Sequence, residues 1–302
     1  MAEKVNVTFL GTSSAVPTAR RNHPATLLQY RGEVILFDCG EGTQRQFRKA
    51  KISVGKITKI LISHWHGDHI LGLPGLLQTM KMLGLEKGID IYGPKGTKEK
   101  MRIYADLFLG KNFGMEIRVY EVGDGVFFDG GDFYLESLAM DHGAPTNAYS
   151  FIIKEKKRID KEKLVKLKLP NSPLIGELLK GKTVSINGKK IDGKKLVFVE
   201  PSKKVTVIID SRYCENAVRL SKEADLLICE ASFAKDDFEI AKEYGHMTSV
   251  EAATIAKKTK VKKLALNHLS QRYDMIPKKI LEEAKKIFKN VFVPEDLDRI
   301  EL

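Results

Sequence analysis

The stretch K-I-L-I-S-H-W-H-G-D-H-I-L-G-L-P-G-L-L occupies residues 59–77 and places His64, His66, Asp68 and His69 within six positions. The apolar run K-I-L-I-S reads as a buried β-strand that ends where the first histidine begins. Residues two apart in an extended segment share a face, so His64 and His66 point the same way. Asp68 and His69, in the turn that follows, can swing toward a neighbouring position. Neutral imidazole is the commonest metal ligand, and carboxylate completes sites for borderline cations. A lone histidine is ordinarily a satisfied core residue; three beside an aspartate do not fit that reading. The loop therefore offers two ligand pairs, suited to two ions a few ångströms apart.

The 302 residues, 43% of them apolar, are enough for a sizeable core. The N-terminus lacks the apolar segment and cleavage site of a signal peptide, and no apolar run is long enough to span a membrane. Cys39, Cys214 and Cys229 are odd in number and far apart. A disulfide framework is thus not expected, and a reducing cytoplasm is the expected location. The net charge of +12 is uneven: 154–195 holds 14 Lys/Arg against 5 Asp/Glu, a net of +9. Such a run is either a solvated surface or a contact surface for a polyanion, and charge alone does not decide.

Strands are expected at 5–10, 25–30, 34–37, 59–63, 89–92, 115–120, 132–140, 205–210, 225–229 and 263–268. Helices are expected at 41–50, 73–83 and near 214–223, 248–258 and 277–289. Strands and helices mixed in both halves point to an α/β or α+β sandwich, with sheets inside and helices outside. The stretch 154–200, with L-P-N-S-P-L at 169–174 and the turns I-N-G-K-K and I-D-G-K-K, reads as an insertion.

The H-x-H-x-D-H pattern differs from the helical H-E-x-x-H zinc motif and resembles the metallo-β-lactamase superfamily. The resemblance implies a four-layer αββα sandwich in a single domain over 1–302, with 154–200 as a protruding basic arm. His142, Asp210 and His268 fall in order at the carboxyl ends of apolar runs. By the resemblance, His64, His66, His142 and Asp210 hold one ion and Asp68, His69, Asp210 and His268 the other. Zinc is the metal implied, and manganese or iron suits a mixed nitrogen and oxygen set as well.

Within the superfamily the chain is similar to the ribonuclease Z family over nearly its whole length. The motifs are F-L-G-T (9–12), F-D-C-G-E-G-T-Q (37–44), G-L-P-G-L-L (72–77), Y-G-P (92–94), C-E-A-S-F (229–233), G-H-M-T (245–248) and N-H-L-S-Q-R-Y (267–273). The resemblance implies an endoribonuclease that removes the 3′ trailer from precursor tRNA by two-metal hydroxide attack, leaving 3′-OH on the tRNA and 5′-phosphate on the trailer. Asp68 would accept the proton of the attacking water, and Glu230 and His246 would assist the leaving oxygen. Cys229, Ser232 and Met247 depart from the family's wording around that pair. The segment P-T-A-R-R-N (17–22) resembles the family's loop for the tRNA 3′ end, with Ala19 where lysine is typical and Arg20 as its substitute. Pro17, Arg20, Arg21 and Asn22 are expected substrate contacts there. The arm segment L-P-N-S-P-L-I-G-E-L-L-K-G-K adds Lys180 and Lys182 for the tRNA elbow, with Asn171 and Ser172 replacing a Pro-Gly pairing. A homodimer is implied. Two other readings stay open: a hydrolase of small phosphodiesters, which needs no basic arm, and an inactive RNA-binding scaffold, which needs no ligands.

Overall fold

The computed structural model describes residues 4–85, 87–110, 113–166, 173–186 and 189–302. Residues 169–172 of the arm segment, Asn171 and Ser172 among them, and 187–188 of the I-N-G-K-K turn lie outside those residues. The chain forms two compact units: Met1–Asp129, Leu135–Phe151 and Lys204–Leu302 make the first, Gly130–Tyr134 and Ile152–Lys203 the second.

The first unit is built on two seven-stranded sheets. One runs Arg299–Glu301, Val5–Gly11, Ala25–Tyr30, Glu33–Phe37, Lys59–Leu61, Ile89–Gly93, Ile117–Glu121, antiparallel at its start and parallel from Glu33–Phe37 onward. The other runs Val291–Phe292, Leu264–Asn267, Leu226–Glu230, Lys203–Ile208, Asn147–Ile153, Phe133–Ala139, Gly125–Asp129, its first four strands parallel. Ring pairs Phe9–Phe292, Tyr30–Phe151 and Phe37–Tyr149, with centroids 6.1, 5.4 and 6.4 Å apart, join the sheets face to face. Helices cover the outer faces, because each presents an apolar stripe that water would otherwise meet. Thr43–Ala50 buries Thr43, Gln46, Phe47 and Ala50, the spacing of one helical face. Leu73, Leu76, Leu77 and Met80 of Leu73–Met82 pack with Phe47 against Leu27, Leu36 and Ile60. On the other side, Ala217, Val218, Ala252, Ala256 and Ile280 pack against Ile208, Leu227 and Leu266. Ser249–Lys258 starts with a capping box between Thr248 and Glu251. The expected layers of helix, sheet, sheet and helix are the ones observed.

Register decides where the site lies. Phe37 pairs with Leu61, Ile208 with Cys229, and Cys229 with Leu266. Residues just past these strands therefore meet at carboxyl ends, the usual place for ligands in parallel sheets.

The second unit pairs Lys156–Ile159 with Val197–Glu200 and Thr183–Ile186 with Lys189–Asp192, both antiparallel, and has short helices Lys161–Lys166 and Leu174–Leu179. Leu164, Leu178 and Leu196 are its buried core, each contributing about 1.5–3 kcal/mol. The unit extends the expected 154–200 by a few residues at both ends and also takes in Gly130–Tyr134.

Candidate metal centre

Backbone contacts set the histidine loop. A Cβ on Gly72 would lie 2.1 Å from the Gly40 carbonyl oxygen, and one on Gly40 would lie 2.3 Å from that of Asp68. The glycines let the D-C-G turn press on the loop, where the Cys39 N–H donates to His69 O at 2.8 Å and the Gly72 N–H to Cys39 O at 2.9 Å. Pro74, in the first turn of Leu73–Met82, fixes the exit of the loop. Asp38, Asp210 and His268 each follow a strand with left-handed backbone, φ 57°, 56° and 58°. Such strain costs about 1 kcal/mol or more per residue and clusters at functional sites.

All seven residues expected as ligands converge. His64 Nε2 lies 2.9 Å from His66 Nδ1, which lies 3.3 Å from His142 Nε2. Asp210 Oδ2 is 3.5 Å from His64, 3.4 Å from His69 and 3.8 Å from His142, and its Oδ1 is 3.0 Å from His268 Nε2. Asp68 Oδ2 stands 3.1 Å from His69 Nε2 and 3.6 Å from His268 Nε2. Two donor sets result, each with its atoms within 4.8 Å of one another: His64, His66, His142, Asp210, and Asp68, His69, Asp210, His268. Asp210 belongs to both.

The rings are held from behind. The Ser63 N–H and Oγ–H donate to Asp38 at 2.7 and 2.8 Å, so Ser63 Oγ accepts from His64 Nδ1 at 3.0 Å. Asp38 Oδ2 also accepts from His69 Nδ1 at 2.8 Å. His142 Nδ1 donates to Gly245 O at 2.9 Å, and His268 Nδ1 to Ser232 Oγ at 2.9 Å. A proton on each Nδ1 leaves four Nε2 lone pairs aimed at the centre, the arrangement that orients metal-binding histidines. Among the described residues, the buried atoms His69 Nε2, His268 Nε2 and Asp210 Oδ1 approach opposite charges but make no well-directed hydrogen bond. Buried polar atoms are costly unless satisfied, and a pair of divalent cations would satisfy all three; the donor set fits them.

Without a cation the charges balance internally. Burial opposes charge on His69 and His268, but Asp210 outweighs it, together with Asp38 for His69 and Asp68 for His268. His69 is raised well above its usual pKa, and His268 to about 10. Burial would raise Asp68 and Asp210 too, yet His268 and His69 hold both below the carboxylate range. His64 is pushed down by burial and by His69.

Glu230 and His246 also meet. His246 Nδ1 lies 3.1 and 3.2 Å from the two Glu230 oxygens, which further accept from Met247 N–H at 3.1 Å, Ser232 Oγ at 2.8 Å and Ser211 N–H. With His268 the pair makes a third metal-capable grouping. The Glu230 oxygens are already filled by protein donors, so the pair reads as an oriented imidazole. Burial lowers His246, but Glu230 outweighs it and raises its pKa.

The loop 17–22 is less uniform. Pro17 and Arg20 are exposed, and Arg20 donates to Asp274. Arg21 is 4% exposed and its guanidinium donates to Thr12 Oγ1 and Pro294 O. The Asn22 side chain donates to Glu41 O, and its backbone N–H to Asp296. Arg21 and Asn22 therefore hold the loop, while Pro17 and Arg20 face outward. In the second unit, exposed Lys180 and Lys182 share Glu177 at 2.8 and 2.5 Å, which holds that carboxyl down at about 2.

Sequence reasoning assigned no role to Asp38, Ser63, Gly245 or the Ser232 hydroxyl. Asp38 stood inside a quoted motif at a strand end, as Asp210 did. Asking what holds the second nitrogen of each imidazole was the signal that could have found it.

A helix–sheet–sheet–helix sandwich with this donor cluster at its strand ends defines a metallo-β-lactamase-fold hydrolase. The fold is shared with the metallo-β-lactamase fold protein YhfI from Bacillus subtilis, with TM-score 0.73 and 22% identity over 100% of both chains. The family model for Anti-Pycsar protein Apyc1 matches residues 5–159. Ribonuclease Z of Methanosarcina mazei is 38% identical over 99% of this chain and 98% of its own. The crystal structure of human tRNase Z, short form (ELAC1), covers 98% of both chains with TM-score 0.70 and 29% identity. The chain belongs to the ribonuclease Z family, its residues 5–159 also fall within the Apyc1 family, and it is a hydrolytic ribonuclease.

Proposed function

We propose that the protein is the endoribonuclease that cuts the 3′ trailer from precursor tRNA, leaving 3′-OH on the tRNA and 5′-phosphate on the trailer. The observation that carries this reading is the double donor set sharing Asp210 next to the Glu230–His246 pair, in a chain alike over its full length to proteins named ribonuclease Z. His64, His66, His142 and Asp210 would hold one zinc ion, and Asp68, His69, Asp210 and His268 the other. Bound zinc supplies Lewis acidity for the scissile phosphate and acidifies water near neutral pH. Asp68 lines the cavity, where its carboxylate would accept the proton of the attacking water. His246, whose protonated form Glu230 favours against burial, gives a proton to the departing 3′-oxygen.

Pro17 and Arg20 would meet the RNA end, on a loop that Arg21 and Asn22 fix. The basic stretch 154–195, with Lys180 and Lys182, is the tRNA grip. Exposed pairs such as those on Glu177 are weak and give way to phosphates. A second copy of the chain would cover the apolar surface of Met82, Leu83, Leu107 and Phe108, which are 87, 54, 71 and 43% exposed. Among the described residues no helix is long and apolar enough to cross a membrane; the cytoplasm is the proposed location.

The test is a gel of precursor tRNA incubated with zinc-loaded protein. The reading requires one cut at the trailer junction, with a 3′-OH on the tRNA fragment. An uncut precursor, together with turnover of small diesters, would overturn it.

A further inference from the structure

The cavity that holds the centre has a volume of about 570 Å³ and is lined by Val16, Phe233, Ile240 and Tyr244 as well as the polar groups. A diester bound at those groups must set its two flanking nucleosides down within the same space. Aromatic side chains take nucleobases by stacking, with little regard to base identity. Two aromatic residues other than histidine line this cavity, and they differ sharply in availability. Phe233 is 7% exposed, and the Arg272 guanidinium sits over its ring at 5.3 Å. Tyr244 is 62% exposed, and among the described residues nothing hydrogen-bonds its hydroxyl or stacks on its ring.

Tyr244 is also registered to the chemistry. It ends the helix Phe238–Tyr244, four residues after Ile240 and on the same helical face. Gly245 then turns the chain with φ 78°, and its carbonyl accepts from His142 Nδ1 at 2.9 Å. His246 comes next. One turn thus orients His142, presents His246 and carries the Tyr244 ring.

We propose that Tyr244 is a nucleobase platform, stacking the base of the nucleotide upstream of the scissile bond. That nucleotide owns the 3′-oxygen that His246 protonates, so its base lies on the His246 side of the phosphate. The inference rests on the ribonuclease reading above and adds a substrate subsite to it.

The experiment uses zinc-loaded full-length protein and three precursor RNAs: intact, abasic at the upstream nucleotide, and abasic at the first trailer nucleotide. Tyr244→Ala should lower kcat/KM on the intact RNA about ten- to hundredfold, the effect of one lost base–aromatic stack. Tyr244→Phe, which keeps the ring, should stay within about twofold of the parent. The upstream abasic RNA should lose as much with the parent protein and nothing more with Tyr244→Ala, whereas the downstream abasic RNA should show the full Tyr244→Ala loss. Equal kcat/KM for Tyr244→Ala and parent on intact RNA would overturn the proposal. So would a Tyr244→Ala loss that persists on the upstream abasic RNA, or one that vanishes on the downstream abasic RNA. Melting temperature and zinc content of both variants separate this from misfolding. Failure of the parent protein to cut any of the RNAs would instead overturn the ribonuclease reading itself.

Discussion

The carboxylate of Asp38 lies 2.8 Å from Nδ1 of His69, on the side of the ring away from the cavity. The same oxygen accepts from Ser63, which supports His64, so one carboxylate aligns two imidazoles of different donor sets. Asp38→Ala removes that support. Apparent zinc affinity should fall about 10- to 100-fold, the usual effect of losing a group that orients a ligand. Competition with a coloured chelator measures it, and excess zinc should restore part of the activity. Unchanged affinity would mean that the rings are held by packing alone.

Asp68 is both a member of a donor set and the group proposed to take the water's proton. Asp68→Ala should abolish cleavage while leaving precursor tRNA affinity within about threefold, since phosphate contacts elsewhere dominate that affinity. Single-turnover assays and filter binding separate the two. Cleavage near the parent rate would contradict the assignment.

His246 is raised in pKa because Glu230 outweighs its burial. A group with a raised folded pKa keeps its proton to higher pH than a free imidazole does, and loses it as pH climbs through that raised value. The alkaline limb of kcat should report this loss. Glu230→Gln removes the charge that raises it, so the limb should move to lower pH, with kcat down about 10²- to 10⁴-fold as for loss of a general acid. A limb that does not move would separate Glu230 from the proton donor.

In the cation-free protein His268 is raised to about 10, and His69 is raised as well. Their pairing with carboxylates contributes stability that is present below the unfolded histidine value near ~6.5 and lost as pH rises through about 10. Asp68, held low, contributes stability lost as pH falls below the ordinary carboxylate range. The melting temperature of chelator-treated protein should therefore fall as the pH is raised from ~6.5 towards about 10, and this contribution should level off beyond it. Zinc added at pH ~8 should release protons, because the imidazoles must become neutral to bind; calorimetry in buffers of different ionisation enthalpy counts them.

Much of the centre was legible because its ligands sit at the ends of apolar runs, and local pattern finds strand ends. The loop 63–69 shows its ligands within one turn, and Asp210 and His268 follow runs that read as strands. Asp38 and Ser232 were not legible, since their role is contact with the far side of rings contributed by other strands. The strand Asn147–Ile153 was missed because it is buried throughout and shows no alternation. Arg299–Glu301 becomes a strand by pairing with Val5–Gly11 from the other end of the chain. The helix Thr97–Phe108 was missed although Met101 and Tyr104 mark its buried face. In the second unit, three leucines spread over 164–196 form a core that the surrounding lysines conceal.

The most direct test of a shared two-ion centre is a zinc titration of chelator-treated protein, following precursor tRNA cleavage and bound zinc together. The account predicts that cleavage rises to a plateau at two zinc ions per chain, and that Asp210→Ala, which removes the carboxylate common to both donor sets, lowers occupancy of both. Full cleavage with one ion per chain, or cleavage that ignores zinc altogether, would contradict it.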